Sequence, residues 1–419
     1  MPSPQILSGL RVLDFSQVLS GPTLTRYLVE MGAEVIKVEA PPGGDITRSS
    51  ATVRDGRSGY YLTVNRGKHS LCIDLKDPRG RAAVLDLVAH VDIVVENFRP
   101  GAFDRLGLSY EELRARNPSV ILCSISGFGE TGPMAHLAGY DAVAQAYAGV
   151  TSLSGERDQP PVLNGAAVGD VLTGVNGLAA VLGALYWRER TGEGQRVEVS
   201  LLGSYMQAHD TSIQSWSMSD GAVVQTRSGR FHQMACPYGI FTAVDGYVMI
   251  CAASDRHWAD LCNALDRPDL ADPRHRWGRR RTWEDDKVEV NAFLDAWALT
   301  QPSCDEAVAR LQTYRVPAAP VLSIDEVATL PLLREAGVVT TATDPVVGEL
   351  DVPSFPLAFS AVDAQAIGAE AAFLGEHNRI VLVGLGGMPD DTFDALVADG
   401  VLVAEDVRNR PSRRGPSSF

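Results

Sequence analysis

The run Asn164-Gly165-Ala166-Ala167-Val168-Gly169-Asp170 puts one carboxylate among small residues, at the mouth of a long apolar stretch with helical spacing. An aspartate there has two readings. It can cap the helix by accepting a backbone N–H. It can also act as a carboxylate nucleophile, kept ionised by the helix N-terminus, with free N–H groups nearby for a developing oxyanion. The small neighbours leave space for a bulky electrophile, and the two readings are compatible. Gly127-Phe128-Gly129-Glu130-Thr131-Gly132 spells GxGxxG directly after a strand pattern. That is the setting of a dinucleotide fingerprint, but it follows the fifth strand pattern, and no strand ends in an acid about twenty residues on. A glycine loop that lets a ligand approach the backbone is the better reading. A second glycine run, IVLVGLGGMP (380–389), has Pro389 at the third-glycine position. His136, His209 beside Asp210, and His232 are dispersed, with no HExxH and no GxSxG.

Elements that could position these residues follow from periodicity. LRVLDF reads as a buried strand, TLTRYLVEMG as a helix with Leu24, Tyr27, Leu28 and Met31 on one face, and AEVIKVEA as the next strand. That is a βαβ unit. SLCIDL, DIVVENF and SVILCSIS continue the strands, with helices PRGRAAVLDLVAHV and SYEELRARN between them, the latter capped by Ser109. Continuous apolar strands alternating with helices predict a parallel sheet covered on both faces. A long helix runs from Gly169 to Thr191, then RVEVSLL returns as a strand. Near residue 225 the texture changes. CPYGIFTAVDGYVMICAA reads as a hairpin turning on Asp245-Gly246, followed by helices near 255–266, 284–299 and 304–314. A β-rich stretch, a helix near 390–399 and a polar, Pro-rich tail complete the chain.

Composition narrows the function classes. The 419 residues suggest two or three folding units and a core that needs no disulfide or metal. A net charge of −15 disfavours nucleic acid, and the basic run at Arg274, Arg276, Arg279, Arg280 and Arg281 is followed by Glu284, Asp285 and Asp286, as on a solvated helix edge. No apolar run reaches about 18 residues, which argues against a membrane span, and the N-terminus shows no signal peptide. The six cysteines form no CxxC pair, which fits buried thiols in a cytoplasmic protein without a metal site.

Several segments together resemble the family III CoA-transferases: LSGLRVLDFSQVLSGP, GAEVIKVEAPPGGDITR, YYLTVNRGKHSLCIDLKDPRGR, DIVVENFRPGAFDRLGL, GFGETGP, AGYDAVAQA, VGDVLTGVNGLAAVLGALYWRERTGEGQRVEVSLL, CPYGIFTAVDGYVMI and LGEH. The match runs in order from about residue 7 to about residue 400. The family includes formyl-CoA:oxalate, carnitine and succinyl-CoA:dicarboxylate CoA-transferases, with the α-methylacyl-CoA racemases as a sister branch. The resemblance implies a large Rossmann-like parallel-sheet domain plus a smaller α+β domain, in a homodimer of interlocked rings. The expected division is 1–205 for the large domain, 206–225 as linker, 226–330 for the small domain, 331–405 returning to the large domain, and 406–419 as a flexible tail. The expected substrates are an acyl-CoA and a free carboxylic acid, with a coenzyme A thioester passing through the site, no permanently bound cofactor, no metal, no nucleic acid and no membrane.

Site residues carry over by motif. Asp170 in VGD falls on the family's catalytic aspartate. Val18, Leu19 and Ser20 fall on the CoA-touching loop after the first strand; Ile73, Asp74, Leu75 and Lys76 on the strand end that cradles the adenine-ribose part. Asn97, Phe98, Arg99 and Arg105 match nucleotide and phosphate contacts, and Ala138, Gly139, Tyr140 and Asp141 the segment beside the thioester. Racemases carry a histidine where this chain has Tyr140; α-proton exchange needs two acid/base groups, and a phenol with an ordinary pKa near 10 substitutes poorly. Racemase and an inactive CoA-binding protein are therefore the alternative readings. The consecutive glycines of the formyl-CoA:oxalate members are absent from SGRFHQMACPYG, and their basic residue after KVE is Ala40 here. A succinyl-CoA donor and a dicarboxylate acceptor are the expectation. The acceptor's second carboxylate needs a cation or several donors. Arg48 and His232 are the candidates carried forward from a set that also holds Arg54, Arg57 and Lys68.

Overall fold

A computed structural model describes residues 5–362 and 370–405, which divide into two compact units. The first comprises Met1–Ala148, Ala166–Ala208 and the chain from Pro331 on. Its frame is one sheet of six strands: β1 (Arg11–Asp14), β2 (Glu34–Glu39), β3 (His69–Cys72), β4 (Ile93–Glu96), β5 (Ile121–Ser126) and β6 (Arg196–Ser200). Every pairing is parallel, and the order is β3-β2-β1-β4-β5-β6. This is the doubly wound order, which reverses between β1 and β4. Alternate residues feed opposite faces. Leu13, Ile36, Leu71 and Val94 join one core cluster; Val12, Val35, Ile93 and Ile121 join the other.

Helix α1 (Ser20–Glu30) is buried on every side, not only on the apolar face its periodicity suggests. The reason is the close neighbour on its polar side. A further helix, α2 (Asp141–Tyr147), precedes the long α3 (Val168–Thr191), which ends where Gly192 adopts φ +78°. A Cβ at Gly174 would lie 2.6 Å from the Ser20 carbonyl oxygen, and one at Gly177 2.5 Å from Leu24 Cδ1. Glycine therefore lets the backbones of α1 and α3 touch. By length and composition α3 is also apolar enough to cross a membrane, which corrects the expectation that no such stretch exists. Here it packs on α1 and the sheet through Leu178, Val181 and Ala184. Beyond β6 comes α4 (Leu201–Gln207). After residue 331 the chain adds a hairpin, Val339–Asp344 with Gly348–Pro353, and the helix Asp390–Ala398. Ile380–Leu385 is a helical turn, so the second glycine run follows no strand. The terminal tail expected at 406–419 lies outside the described residues.

The second unit comprises Gly149–Gly165 and His209–Leu330. The expected division has 149–165 in the large domain and 206–225 as a linker. Instead 149–165 groups with the small unit, and Ser212–Met218 is a helix. Three antiparallel strands, Ala318–Pro320, Tyr247–Cys251 and Tyr238–Thr242, pack on helices Asp255–Ala264, Glu284–Ala298 and Cys304–Thr313. Phe241, Val248, Trp258, Leu294 and Leu311 form its core. Thr242 pairs with Tyr247, so the hairpin loop has four residues and not the expected two. The Asp245 carboxylate is drawn instead to the Cys304 N–H, at 2.8 Å. In the basic run, Arg274, Arg276 and Arg281 are ion-paired with Asp272, Asp286 and Asp255.

Candidate active site

In open α/β sheets ligands bind beyond the carboxyl ends of the strands where the order reverses. In the first unit the loops after β1 and β4 meet there and line a cleft through Gln17, Val18 and Ser20 on one side and Asn97, Phe98 and Arg99 on the other. Ser126 and Gly127, at the end of β5, form its floor, and Ala138, Gly139 and Tyr140 come from the segment before α2. Asp170, in the first turn of α3, completes it. Gly127 and Gly139 nearly touch: a Cβ on Gly127 would sit 2.6 Å from the Gly139 Cα. Of GFGETG only Gly127 reaches the cleft, and no helix begins on its last glycine, so it is not a dinucleotide turn.

Asp170 is not the helix cap. Ala167 holds that position and offers no side-chain acceptor. The exposed N–H groups are satisfied from outside. Asp170 N–H donates to Asp141 Oδ1 at 2.9 Å, Gly169 N–H donates to the Tyr205 oxygen at 3.1 Å, and the Tyr205 hydroxyl donates to the same Asp141 oxygen at 2.8 Å. With capping done by Asp141 and Tyr205, the Asp170 carboxylate is left for the cleft, where the Ser20 hydroxyl bonds it. Gly169 is required by this packing, since a Cβ would fall 2.1 Å from the Tyr205 ring and 2.6 Å from the Asp141 carboxylate. Burial, then the Asp141 charge, push Asp170 up to about 6, while the Ser20 bond pulls the other way. The helix N-terminus, expected to favour the ionised form, does not prevail, because Asp141 has already taken the N–H that would have stabilised it.

The β1 loop is held in a strained shape. Val18 adopts φ +70°, a left-handed conformation that costs a β-branched residue about 1–3 kcal/mol. Two bonds between Gln17 and Asn97 clamp it: Gln17 N–H to Asn97 Oδ1 at 2.8 Å, and Asn97 Nδ2 to the Gln17 carbonyl at 2.7 Å. Under the loop, Lys37 bonds the Ser16 carbonyl at 2.7 Å and pairs with Asp45 at 2.9 Å, while Lys68 pairs with Asp14 at 3.0 Å. Glu96, buried at the end of β4, accepts the Phe98 N–H at 2.8 Å and so sets the second loop; burial pushes its carboxyl up to about 7.

The cleft thus gathers Val18, Ser20, Asn97, Phe98, Arg99, Ala138, Gly139, Tyr140 and Asp170, with Asp141 one bond behind. The remaining sequence candidates lie elsewhere. Leu19 faces a neighbouring cavity. Ile73 is fully buried, so only its backbone could meet a ligand; Asp74, Leu75 and the exposed Lys76 form the turn after β3. Arg105 is exposed at the end of the short helix Ala102–Arg105. Arg48 does not offer a free guanidinium: it forks onto Glu39 with two bonds of 2.7 Å and bonds the Ala372 carbonyl at 3.1 Å. His232 Nδ1, in the second unit, accepts the N–H groups of Met234 and Ala235 at 3.1 and 3.0 Å. Sequence reasoning missed Tyr205, and no local pattern marks it. It missed Gln17 too, although the adjacent Val18 pointed to that loop.

Comparison with known proteins identifies the family. Residues 7–378 match the family described as CoA-transferase family III. A succinyl-CoA:mesaconate CoA-transferase of Haloarcula hispanica is 38% identical over 387 residues, 90% of this chain and 95% of that protein. A succinyl-CoA:glutarate CoA-transferase of the mouse, Mus musculus, is 33% identical over 398 residues, 94% of this chain and 90% of its own. The crystal structure of a CAIB/BAIF family protein from Brucella suis superposes with a TM-score of 0.80 at 32% identity, covering 91% of this chain and all of that one. The chain belongs to CoA-transferase family III and is a CoA-transferase.

Proposed function

We propose that this enzyme moves CoA from succinyl-CoA or a similar donor to a free dicarboxylate, with Asp170 as the nucleophile. The observation that carries this reading is the Asp170 carboxylate: it opens onto the switch-point cleft, it has a hydroxyl partner in Ser20, and it ionises at about 6. At pH 7 it is mostly an anion, free to attack. Attack on the thioester carbonyl forms an acyl-aspartyl anhydride and expels CoA thiolate. The thiolate attacks the Asp170 carbonyl, forming an aspartyl-CoA thioester and releasing the donor acid. The acceptor carboxylate then attacks that thioester, giving a second anhydride and thiolate. Thiolate attack on the acceptor carbonyl yields the new acyl-CoA and restores Asp170. One thioester is exchanged for another, so no ATP is needed, and water must be kept from the anhydride.

Arg99, exposed at the cleft edge, is suited to CoA phosphate, and Lys76 and Arg105 are the further expected contacts. The Gly139 backbone and Tyr140 line the same cleft as Asp170 and are the groups suited to a developing oxyanion. The dicarboxylate preference draws support from the relatives named for mesaconate and glutarate. A homodimer accounts for the apolar side of α3, where Val168, Val171, Val175, Tyr186 and Trp187 are exposed. Six unpaired cysteines fit a cytoplasmic setting. The test is a matrix of acyl-CoA donors and free acids, oxalate included, followed by mass, with hydroxylamine added to capture the acyl group at Asp170. Absence of any exchange, or a hydroxamate mapped to another carboxylate, refutes the assignment. In deuterated water a 2-methylacyl-CoA should keep its α-hydrogen; rapid exchange would restore the racemase reading.

A further inference from the structure

A cavity of about 940 Å³ adjoins the cleft within the first unit. Two of its wall residues, Leu19 and Val171, are the chain neighbours of Ser20 and Asp170 in the cleft. Its lining is largely apolar, with Tyr27, Tyr60, Val338, Leu350 and Phe355 among the residues that form it. One cation stands in that wall among the described residues. Arg26 is only 8% exposed, and its Nε and one terminal nitrogen have no hydrogen-bond partner among the described residues. It lies over the ring of Tyr27 and bonds that residue's hydroxyl, while the Arg66 charge opposes it and the Glu30 charge favours it. The carboxylate one turn along, Glu30, is taken by Arg66 at 2.7 Å. The cavity's own acid, Asp351, is paired with Arg334 at 2.5 Å. A buried guanidinium with two unpartnered nitrogens, whose nearby carboxylate is already ion-paired to a second arginine, is costly to hold, and an anionic ligand lowers that cost.

The other cations considered for this role are engaged. Arg48 is on Glu39, Arg57 on Asp344 at 2.6 Å and Lys68 on Asp14, while Arg54 donates to the Val347 carbonyl. Arg26 is also at the right reach. Leu19, Thr23 and Arg26 recur at helical spacing on the cavity side of α1. Ser20 and Arg26 are six positions apart, about 9 Å along the axis, and helical side chains lean back toward the N-terminus, which here is the Asp170 end. A chain of four to six carbons with a carboxylate at each end spans what remains.

We infer that Arg26 binds the distal carboxylate of a dicarboxylic substrate, whose carbon chain lies in the apolar cavity and whose reacting end meets Asp170. This rests on the transferase reading above and names the residue that selects diacids. It assigns one pocket to both half-reactions, since the succinyl group of a donor and the acceptor acid present the same distal charge in turn. The experiment compares glutarate with valerate as acceptors, using butyryl-CoA as donor, in wild type, Arg26→Gln and Arg26→Lys. The glutarate-to-valerate ratio of kcat/KM should fall at least ~100-fold in Arg26→Gln, the scale of leaving a buried polar group unpaired, and recover in part in Arg26→Lys. A fall of less than tenfold overturns the inference, and so does a changed sedimentation coefficient, which would make Arg26 a contact between copies. Calorimetric titration with glutarate alone separates the two readings. Heat of binding present in wild type and Asp170→Asn but absent in Arg26→Gln supports the site even if no CoA transfer is found. Transfer that discriminates diacids equally with and without Arg26 keeps the transferase and removes the site.

Discussion

Two groups of charge in the first unit, one buried and one half-buried, are built on opposite plans. Beneath the β1 loop, two acids meet two bases: Asp14 pairs with Lys68 and Asp45 with Lys37. At the start of α3, Asp141 and Asp170 face each other with no ion-paired cation among the described residues, held by a tyrosine hydroxyl, a serine hydroxyl and a backbone N–H. The same residue type responds accordingly. Lys68 and Lys37 outweigh burial and hold Asp14 at about 2, whereas burial and Asp141 push Asp170 up to about 6. A carboxylate locked to an ammonium is a structural part. One held only by neutral donors can be given up to a new bond, which is what a nucleophile needs.

The sharpest way to break this comparison is at its reactive member. Asp170→Asn should lower CoA transfer at least ~10³-fold, roughly 4 kcal/mol of transition-state stabilisation. It should also make the fold more stable at pH 8. A carboxyl raised from 3.8 to about 6 imposes no penalty below pH 4, a growing one between 4 and 6, and the full one above 6. The expected gain is about 1–2 kcal/mol in urea unfolding at pH 8, vanishing at pH 4; equal stability at both would mean the charge is not confined. In wild type the same titration predicts an acid limb in kcat/KM with an apparent pKa near 6.

The structural member should respond in stability instead. Lys68→Met leaves Asp14 buried without its nearest cation and should destabilise by about 3 kcal/mol at neutral pH. Asp14 can shed its charge by taking a proton, so the deficit should shrink as pH falls; a deficit independent of pH would refute the pairing argument.

The packing behind Asp170 comes next. Gly169→Ala forces a Cβ into Tyr205 and Asp141 and should reduce transfer ~30–100-fold while far-ultraviolet dichroism is unchanged. Tyr205→Phe removes one hydroxyl, leaves the ring, and should lower kcat about tenfold with little change in KM. A KM effect without a kcat effect would make Tyr205 a binding residue and not a support for Asp170.

Much of the frame was legible in the chain. The strands at β1, β2, β4 and β5 are short runs of branched apolar residues, and their continuity told of a sheet covered on both faces, because that pattern depends only on neighbours in sequence. Ser109 was read as a cap and accepts the Glu112 N–H at 3.3 Å. The failures have a common cause. Asp245-Gly246 has the composition of a two-residue turn, but the Cys304 amide, 59 positions away, draws Asp245 out of it. Arg48 stands in a loop suited to a substrate, but Glu39, at the end of the strand before it, engages its guanidinium.

The same division runs through the site. By itself the sequence determined which residues stand after each strand, and that Asp170 opens a helix amid small side chains, since periodicity and residue size are local properties. Only the tertiary structure decided that Asp141 and Tyr205 cap that helix, that Asp170 is pushed up to about 6, and that two nitrogens of Arg26 find no partner among the described residues. Each of these is set by which distant groups come within a few ångströms in a medium of low dielectric, and chain spacing carries no record of that distance.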